Sequence, residues 1–195
     1  MKKFVFAFCM FALVGITTTQ AQGFKGKWFL LGEAGYSTAA DGKIKNYSIL
    51  PVVGTFVAPT TALGIGVGYL GSKNETLANV VNKDQTFIVQ PLARKYWGLS
   101  DNFLIFAQAA VPLTFGKTTV ENDAGKVETK VNGYGLQLSP GVDYFFTSHF
   151  SMEASFGLVG WTAVKPKDGE TSNDFGIGVN SGFQNGLKLG LKYIF

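Results

Sequence analysis

Apolar and polar residues alternate through the last nine positions of the chain, residues 187–195. Successive side chains of a β-strand point to opposite faces, so this segment would have one wholly apolar face. That face consists of Leu187, Leu189, Leu191, Tyr193 and Phe195. Lys188 and Lys192 fall on the opposite face. The segment is therefore predicted to be a strand with one side in an apolar environment.

The same period of two recurs along the chain and predicts eight strands. The clearest is the fifth, in which every second residue from Phe103 to Phe115 is apolar. The predicted strands are Lys27–Tyr36, Asn46–Val57, Ala62–Leu70, Gln85–Trp97, Phe103–Gly116, Asn132–Phe146, Phe150–Trp161 and Leu187–Phe195. Their lengths suit tilted membrane strands, which need about 9–11 residues. The predicted fold class is all-β: an eight-stranded antiparallel up-and-down transmembrane β-barrel.

Short and long connections alternate between these strands. The short turns are Ala58–Thr61, Gly98–Asn102 and Thr147–His149. The long polar stretches, which we expect to be loops, are Ser37–Lys45, Gly71–Asp84, Lys117–Val131 and Val164–Asn185. Outer-membrane barrels have short periplasmic turns and longer extracellular loops, and this alternation matches them. Within the last stretch, Phe175–Val179 could instead extend the eighth strand.

A proline recurs at an equivalent place in three predicted hairpins, as Pro51, Pro91 and Pro140. Proline cannot donate a hydrogen bond to a strand ladder, so it is unusual inside a sheet. Its recurrence predicts a shared bend or bulge.

The polar face of the strands decides which side of the barrel is apolar. A soluble barrel such as a lipocalin holds its apolar face inside and would carry many Lys and Glu outside. Here the polar face consists mostly of Gly, Ser and Gln with few charges, which suits a narrow lumen. Aromatic residues also gather near both ends of the strands, as they do at the two membrane interfaces. The apolar face is therefore predicted to face lipid.

The N-terminus has the pattern of a secretory signal peptide. Lys2 and Lys3 precede an apolar run over residues 4–16, and a small-x-Ala pattern ends at Ala21. The predicted organisation is a cleaved signal peptide, residues 1–21, and a barrel domain, residues 22–195; a buried N-terminal helix is the alternative. The single cysteine, Cys9, lies in the predicted signal peptide, so no disulfide or Cys-based site is expected.

Charged residues on the polar face are the candidate functional residues. Arg94, Asp143, Glu153 and Lys192 should lie about one turn from the periplasmic end of the lumen. Because an unpaired buried charge is costly, we expect them to form ion pairs. This hypothesised lumen polar network also includes Glu33 and could be joined by Gln90, Gln108 and Gln137. It would be a structural plug; a proton or ion relay is the alternative.

Signs of catalysis, cofactor binding and nucleic-acid binding are sparse. The single histidine, His149, lies beside Ser148 in a predicted turn, and adjacency alone does not make a catalytic pair. The chain has no His-rich or acidic cluster typical of a metal site, so we expect no metal and no cofactor. The net charge of +4 comes without a Lys/Arg cluster, and a nucleic-acid partner is not expected.

Over nearly its whole mature length the chain resembles the small OmpA/OmpX-like outer-membrane barrels, and more narrowly the outer-membrane β-barrel domain proteins of Bacteroidetes. The residues that carry the resemblance are Gly26–Leu30, Pro91–Trp97 and the terminal segment Leu187–Phe195. The resemblance implies export to the outer membrane and contact with its lipid. It also implies assembly by the barrel-assembly machinery through the strand that ends at Phe195.

The expected function is that of a non-enzymatic integral outer-membrane protein. It would support envelope structure or present its extracellular loops to surface partners. One alternative is a narrow channel for small solutes. Another is a lipid-modifying outer-membrane enzyme. Fold does not decide among these.

Overall fold

The computed structural model describes residues 24–39, 41–77, 80–123, 125–167, 169–178 and 186–195. The predicted signal peptide lies outside these residues. None of the described residues forms a helix long and apolar enough to span a membrane. The strands are β1 (Trp28–Ala39), β2 (Ile44–Ala58), β3 (Thr61–Leu77), β4 (Val80–Gly98), β5 (Phe103–Ala110), β6 (Leu113–Asn122), β7 (Gly125–Phe145), β8 (Phe150–Phe156), β9 (Val159–Pro166), β10 (Ser172–Ile177) and β11 (Leu187–Ile194).

These strands form one antiparallel sheet that closes on itself. β1 pairs with β2 on one side and with β11 on the other, where Phe29 lies opposite Ile194. β5 and β6 together occupy one position of the barrel, between β4 and β7, and β8 and β9 together occupy another. β11 pairs with both β8 and β1, so the last strand closes the ring. The predicted eight-stranded antiparallel barrel is confirmed.

The alternation of the sequence becomes an alternation between lumen and exterior. In β11, Leu187, Leu189 and Leu191 are each 53% exposed, whereas Lys188 and Lys192 are buried. In β1, likewise, Leu30 is exposed and Phe29 and Leu31 are fully buried. The outer surface is therefore apolar, and every charged residue on the polar face of β11 lies inside.

The polar stretches between the strands are mostly hairpins, not the long loops that their composition predicted. β3 and β4 continue to Leu77 and Val80, and β6 and β7 continue to Asn122 and Gly125. Cross-strand pairing explains why polar sequence stays extended here. Lys83 of β4 and Glu121 of β6 lie 2.9 Å apart, and lysines, threonines and valines recur along the adjoining β6–β7 ladder. The polar residues of these segments are exposed to solvent, but the strands continue through them.

The final connection also differs from a single long loop. β10 covers Ser172–Ile177 and pairs with β9, with Phe175 opposite Trp161. Phe175, Gly176 and Ile177 therefore lie in a strand, but in β10, which ends before β11 begins at Leu187; Val179 lies outside the described residues.

The three repeated prolines interrupt the ladder in two different ways. The pairing of β2 with β3 breaks at Pro51 but resumes in the same register. Pro91 pairs with β3 in register, and the ladder toward β5 and β6 is broken beside it, where Pro112 stands on the facing strand. At Pro140 the register of β7 moves by one residue between β8 and β9, which is a bulge. The missing N–H is common to all of these positions, and the bulge belongs to Pro140 alone among the three.

Glycines on the lumen face make room for large side chains. The ring of Phe29 lies against Gly54 on the neighbouring strand, and the ring of Phe106 lies against Gly141. A Cβ at position 54 would collide with the Phe29 ring and would lie 2.5 Å from the carbonyl oxygen of Leu63. An eight-stranded barrel has an interior just wide enough to be filled by side chains, and these glycines are what let the aromatic rings fit.

We expect Gly54→Ala to lower the free energy of unfolding in lipid vesicles by roughly 3 kcal/mol, the upper part of the range for overpacked cores. Gly32→Ala is the matched control, because Gly32 faces outward and a Cβ there meets nothing within 4 Å. Urea titration followed by tryptophan fluorescence measures both. Equal stability of the two variants would contradict this account of the lumen.

Candidate functional site: a charge network inside the barrel

Aromatic side chains close the end of the lumen near the short turns. Phe24, which precedes β1, stacks on both Phe56 and Phe145, each with ring centroids 5.3 Å apart. Tyr96 lies next in this layer, 5.6 Å from Phe56 and 5.6 Å from Phe106. We call this layer the aromatic floor. It consists of Phe24, Phe29, Phe56, Tyr96, Phe106 and Phe145.

Arg94 is the centre of the charged layer next to the floor. Its Nη1 donates to Glu153 at 2.8 Å and its Nη2 donates to Glu33 at 3.0 Å. Its Nε donates to Oε1 of Gln108 at 2.6 Å, and its guanidinium carbon lies 4.7 Å from the centre of the Phe106 ring. Arg94 is 1% exposed. The guanidinium group thus spans the lumen and joins strands that are not neighbours in the sheet.

Lys192 forms the second half of the layer. Its Nζ is paired with Asp143 and lies 3.6 Å from Glu153. The ammonium also lies 5.1 Å from the centre of the Tyr96 ring, so the charged layer rests directly on the floor. Asp143 and Glu153 occupy opposed positions of β7 and β8, which brings the two carboxylates side by side. The cations hold this otherwise repulsive pair together.

The structure therefore brings together all five residues of the hypothesised network: Glu33, Arg94, Asp143, Glu153 and Lys192. Gln108 joins them through Arg94. Gln137 donates instead to Ser139 at 3.1 Å, and Gln90 is buried in the same lumen.

Sequence reasoning left one buried charge out of this network. Lys188 is 2% exposed and lies close enough to Glu33 and Glu153 to interact with them electrostatically. The signal was present, because Lys188 precedes Lys192 by four positions and shares its face of the strand. With Lys188, the fully buried charges in the described part of the chain are three cations and three anions. The six together are Glu33, Arg94, Asp143, Glu153, Lys188 and Lys192; we call them the lumen network.

A glycine opens the space that the carboxylates occupy. Gly190 lies on the lumen face of β11, between the two network lysines. A Cβ at this position would lie 3.0 Å from Cγ of Glu153 and 3.4 Å from Cγ of Glu33. Any side chain here would press on both acids.

A polar cavity of about 380 Å³ lies on the hairpin side of the lumen network. Hydroxyl, amide and carboxylate side chains line much of it, and Thr118 Oγ1 donates to Asp84 at 2.7 Å. Its polar side chains include Asn46, Ser48, Ser72, Asp84, Thr86 and Thr114. We call this cavity the vestibule. It can hold water or a small polar solute, and the charged layer and the aromatic floor lie beneath it.

His149 lies in the exposed turn between β7 and β8. Its Nδ1 is 2.9 Å from Ser148 Oγ, and its ring lies 6.1 Å from the ring of Tyr193. Both residues of the pair are exposed. Within the described ranges, no group of three or more His, Cys, Asp or Glu residues could hold a metal ion.

Comparison with known proteins gives fold likeness without close relatives. No protein-family profile matches the chain, and no curated protein matches it. Among solved structures it is similar to Neisserial surface protein A, with 15% identity, a TM-score of 0.51, and coverage of 86% of this chain and 97% of that one. A major outer membrane protein from Thermus thermophilus aligns with 14% identity and a TM-score of 0.44, over 87% of this chain and 99% of that one. The fold is thus that of small outer-membrane barrels, and the narrower family resemblance stays a prediction.

Proposed function

We propose that the protein is an integral outer-membrane barrel with a closed lumen, which acts through structure and surface contacts instead of conduction or catalysis. The observation that carries the proposal is the inverted distribution of polarity. Large apolar side chains such as Leu136, Leu189 and Phe115 are more than half exposed around the barrel, while Arg94 and Lys192 are buried inside it. Water would penalise the outer surface, and lipid would stabilise it.

The closed lumen supports a structural role. The lumen network and the aromatic floor lie in series, and together they fill the cross-section with paired charges and packed rings. Buried ion pairs of this kind are costly to separate, so the network is a poor candidate for a mobile ion pathway. We therefore favour a plug over a proton or ion relay.

The hairpins that continue beyond the barrel are the proposed contact surface. β6 and β7 extend as a ladder to Asn122 and Gly125, with charged side chains at their tip. The hydrogen bond from Lys83 holds the pKa of the Glu121 carboxyl below its ordinary value, and Lys126 does the same for the pKa of Glu128. These acids stay ionised at neutral pH, so the tip presents fixed charges on a rigid hairpin to a partner at the cell surface.

The polar vestibule is the observation that favours a channel for small solutes as a second candidate. The vestibule would let a solute enter the lumen from the hairpin side. To cross the barrel, the solute would also have to pass the aromatic floor. A lipid-modifying enzyme is a weaker third candidate, because His149 lies at the turn end, away from the outer leaflet that such an enzyme would face. We expect no enzymatic activity. Assembly would proceed through the barrel-assembly machinery, with β11 and Phe195 as the recognised end.

Site-directed labelling tests the location and orientation. Cys9 is the chain's single cysteine and lies in the predicted signal peptide, so an engineered cysteine would be unique in the mature protein. Val127→Cys lies on the β6–β7 hairpin and should react with a membrane-impermeant maleimide on intact cells. Ser100→Cys lies in the turn between β4 and β5 and should react only after the outer membrane is permeabilised.

The same samples should show a mobility shift on heating in gels, as folded barrels resist detergent until heated. Labelling of both engineered cysteines in intact cells would contradict the proposal. So would a protein that does not fractionate with the outer membrane. Reversed labelling of the two positions would retain the membrane and overturn the orientation.

A further inference from the structure

A row of lysines crosses three adjacent strands on the outer surface, near the hairpin end. Lys117 of β6 lies directly opposite Lys130 of β7. The backbone N–H of Lys167, just after β9, donates to the carbonyl of Lys130 at 2.9 Å. Lys165 lies one level lower, opposite Asn132, which in turn lies opposite Phe115. We call Lys117, Lys130, Lys165 and Lys167 the basic patch.

This arrangement is unfavourable for the isolated protein. Residues directly opposite on neighbouring strands have Cβ atoms about 5 Å apart, and like charges in such positions destabilise a sheet. Lys117 has a partial partner in Glu128 at 3.4 Å, which also pairs with Lys126 at 2.7 Å. No carboxylate of the described residues forms an ion pair with Lys130, Lys165 or Lys167.

A second lysine row shows how the chain handles such a cluster elsewhere. Lys45, Lys73 and Lys83 also lie opposite one another on β2, β3 and β4. There, Glu75 pairs with Lys73 and Glu121 pairs with Lys83 at 2.9 Å. Across the part of the chain that the structure describes, these acids have no counterpart beside the basic patch. An anion from outside the protein would complete it.

The surface below the basic patch is aromatic. Tyr69, Phe87 and Phe115 lie side by side on β3, β4 and β6, one level below the lysine row. Phe87 is 46% exposed and Phe115 is 51% exposed. Together with the lysines they line a single shallow groove on the exterior, bounded by Tyr69, Phe87, Phe115, Lys117, Lys130 and Lys167. A ligand of this groove would have an anionic head above an apolar body.

We propose that this groove binds a phosphate-bearing lipid of the outer leaflet, with the phosphates on the basic patch and an acyl chain along the aromatic row. The inference rests on the proposed outer-membrane location, which puts the aromatic row at the headgroup level. Ammonium groups at that level attract anionic headgroups, each by about 1 kcal/mol. Lysine has a long apolar stem that can rest on apolar surface while its ammonium group reaches the phosphates.

Lipid titration of the purified full chain, folded in neutral detergent and followed by native mass spectrometry, tests the inference. The probes are diphosphoryl lipid A and the same lipid with both phosphates removed. The wild type should bind the phosphorylated lipid about tenfold more tightly or better. The triple variant Lys130→Gln, Lys165→Gln, Lys167→Gln should lose this preference, and the corresponding triple Arg variant should keep it.

A charge-matched control removes three lysines at the opposite rim: Lys25→Gln, Lys27→Gln and Lys95→Gln. It should bind as the wild type does. A preference that survives the Gln variant, or that the control also loses, would overturn the inference. So would equal competition by inorganic pyrophosphate, since that result would indicate a site for a free anion, or by an acidic peptide, which would indicate a protein partner.

Heat-dependent gel mobility of each sample separates this inference from the proposal on which it rests. A chain without a heat-modifiable folded form contradicts the membrane barrel itself. A folded, heat-modifiable barrel that binds the two lipids equally contradicts only the lipid site.

Discussion

Arg94→Met should lower the free energy of unfolding of the barrel by about 3–5 kcal/mol, the usual cost of removing one partner from a buried ion pair. The guanidinium donates to Glu33, Glu153 and Gln108, and each of these acceptors is 2% exposed. Methionine fills similar space and offers none of the donors. Three buried carboxylates would then share the lumen with only two cations, Lys188 and Lys192, and water has little room to replace the lost bonds.

Lys95→Met is the matched control for this variant. Lys95 adjoins Arg94 in β4, points outward, and forms a hydrogen bond to Thr60 at the surface. We expect its stability to change by less than about 1 kcal/mol. Reversible urea unfolding in lipid vesicles, followed by tryptophan fluorescence, measures both variants.

A compensated variant identifies the cause. Adding Glu153→Gln to Arg94→Met restores the balance of the lumen network, with Glu33 and Asp143 against Lys188 and Lys192, and should recover much of the lost stability, because a neutral buried amide costs less than an unpaired carboxylate. A loss of stability that this double variant does not recover would mean that Arg94 acts through packing against Phe106 and not through its charge.

The sequence was sufficient to predict the barrel because alternation is a local property. Each strand of the barrel buries one face and exposes the other. The position of Leu189 or Lys188 in the alternation is therefore enough to predict whether its side chain is exposed or buried. The same rule identified which charges lie in the lumen. It placed Lys188 on that face as well, although the hypothesised network did not include it.

The pairing inside the lumen was beyond sequence reasoning. Arg94 reaches Glu33 and Glu153 across the interior, and these residues are separated along the chain by 61 and 59 positions. Which side chains meet depends on the stagger of the closed barrel, and no single strand contains that information. The floor was missed for the same reason, since Phe24 closes it from outside any strand.

The ends of several strands also differ from the prediction. The segment 117–131 reads as a loop by composition, yet it is a ladder in which Lys117 faces Lys130 and Val120 faces Val127. Composition indicates whether a segment is exposed to solvent. Whether a strand continues depends on the residues that pair with it on the adjacent strand. The basic patch followed only from that ladder, because its lysines come from three separate strands.

Single-channel recordings should show that the wild-type barrel is closed and that it opens only when two barriers are removed together. The lumen network and the aromatic floor lie in series, and Tyr96 belongs to the floor while lying 5.1 Å from the ammonium of Lys192. Arg94→Ala alone should leave the floor intact. Phe56→Ala with Phe145→Ala should remove the stacking partners of Phe24 but leave the charged layer in place.

Each of these variants should therefore remain without a steady conductance in planar bilayers, whereas the combined triple variant should conduct small ions. Phe146→Ala added to Arg94→Ala is the matched control, because Phe146 is 51% exposed on the outside of the barrel and its removal opens nothing in the lumen. Heat-dependent gel mobility establishes that each variant is folded before it is recorded. A large, steady conductance of the wild type would contradict the plug and favour the channel. Opening by Arg94→Ala alone would mean that the floor is not a barrier and that the lumen network closes the barrel by itself.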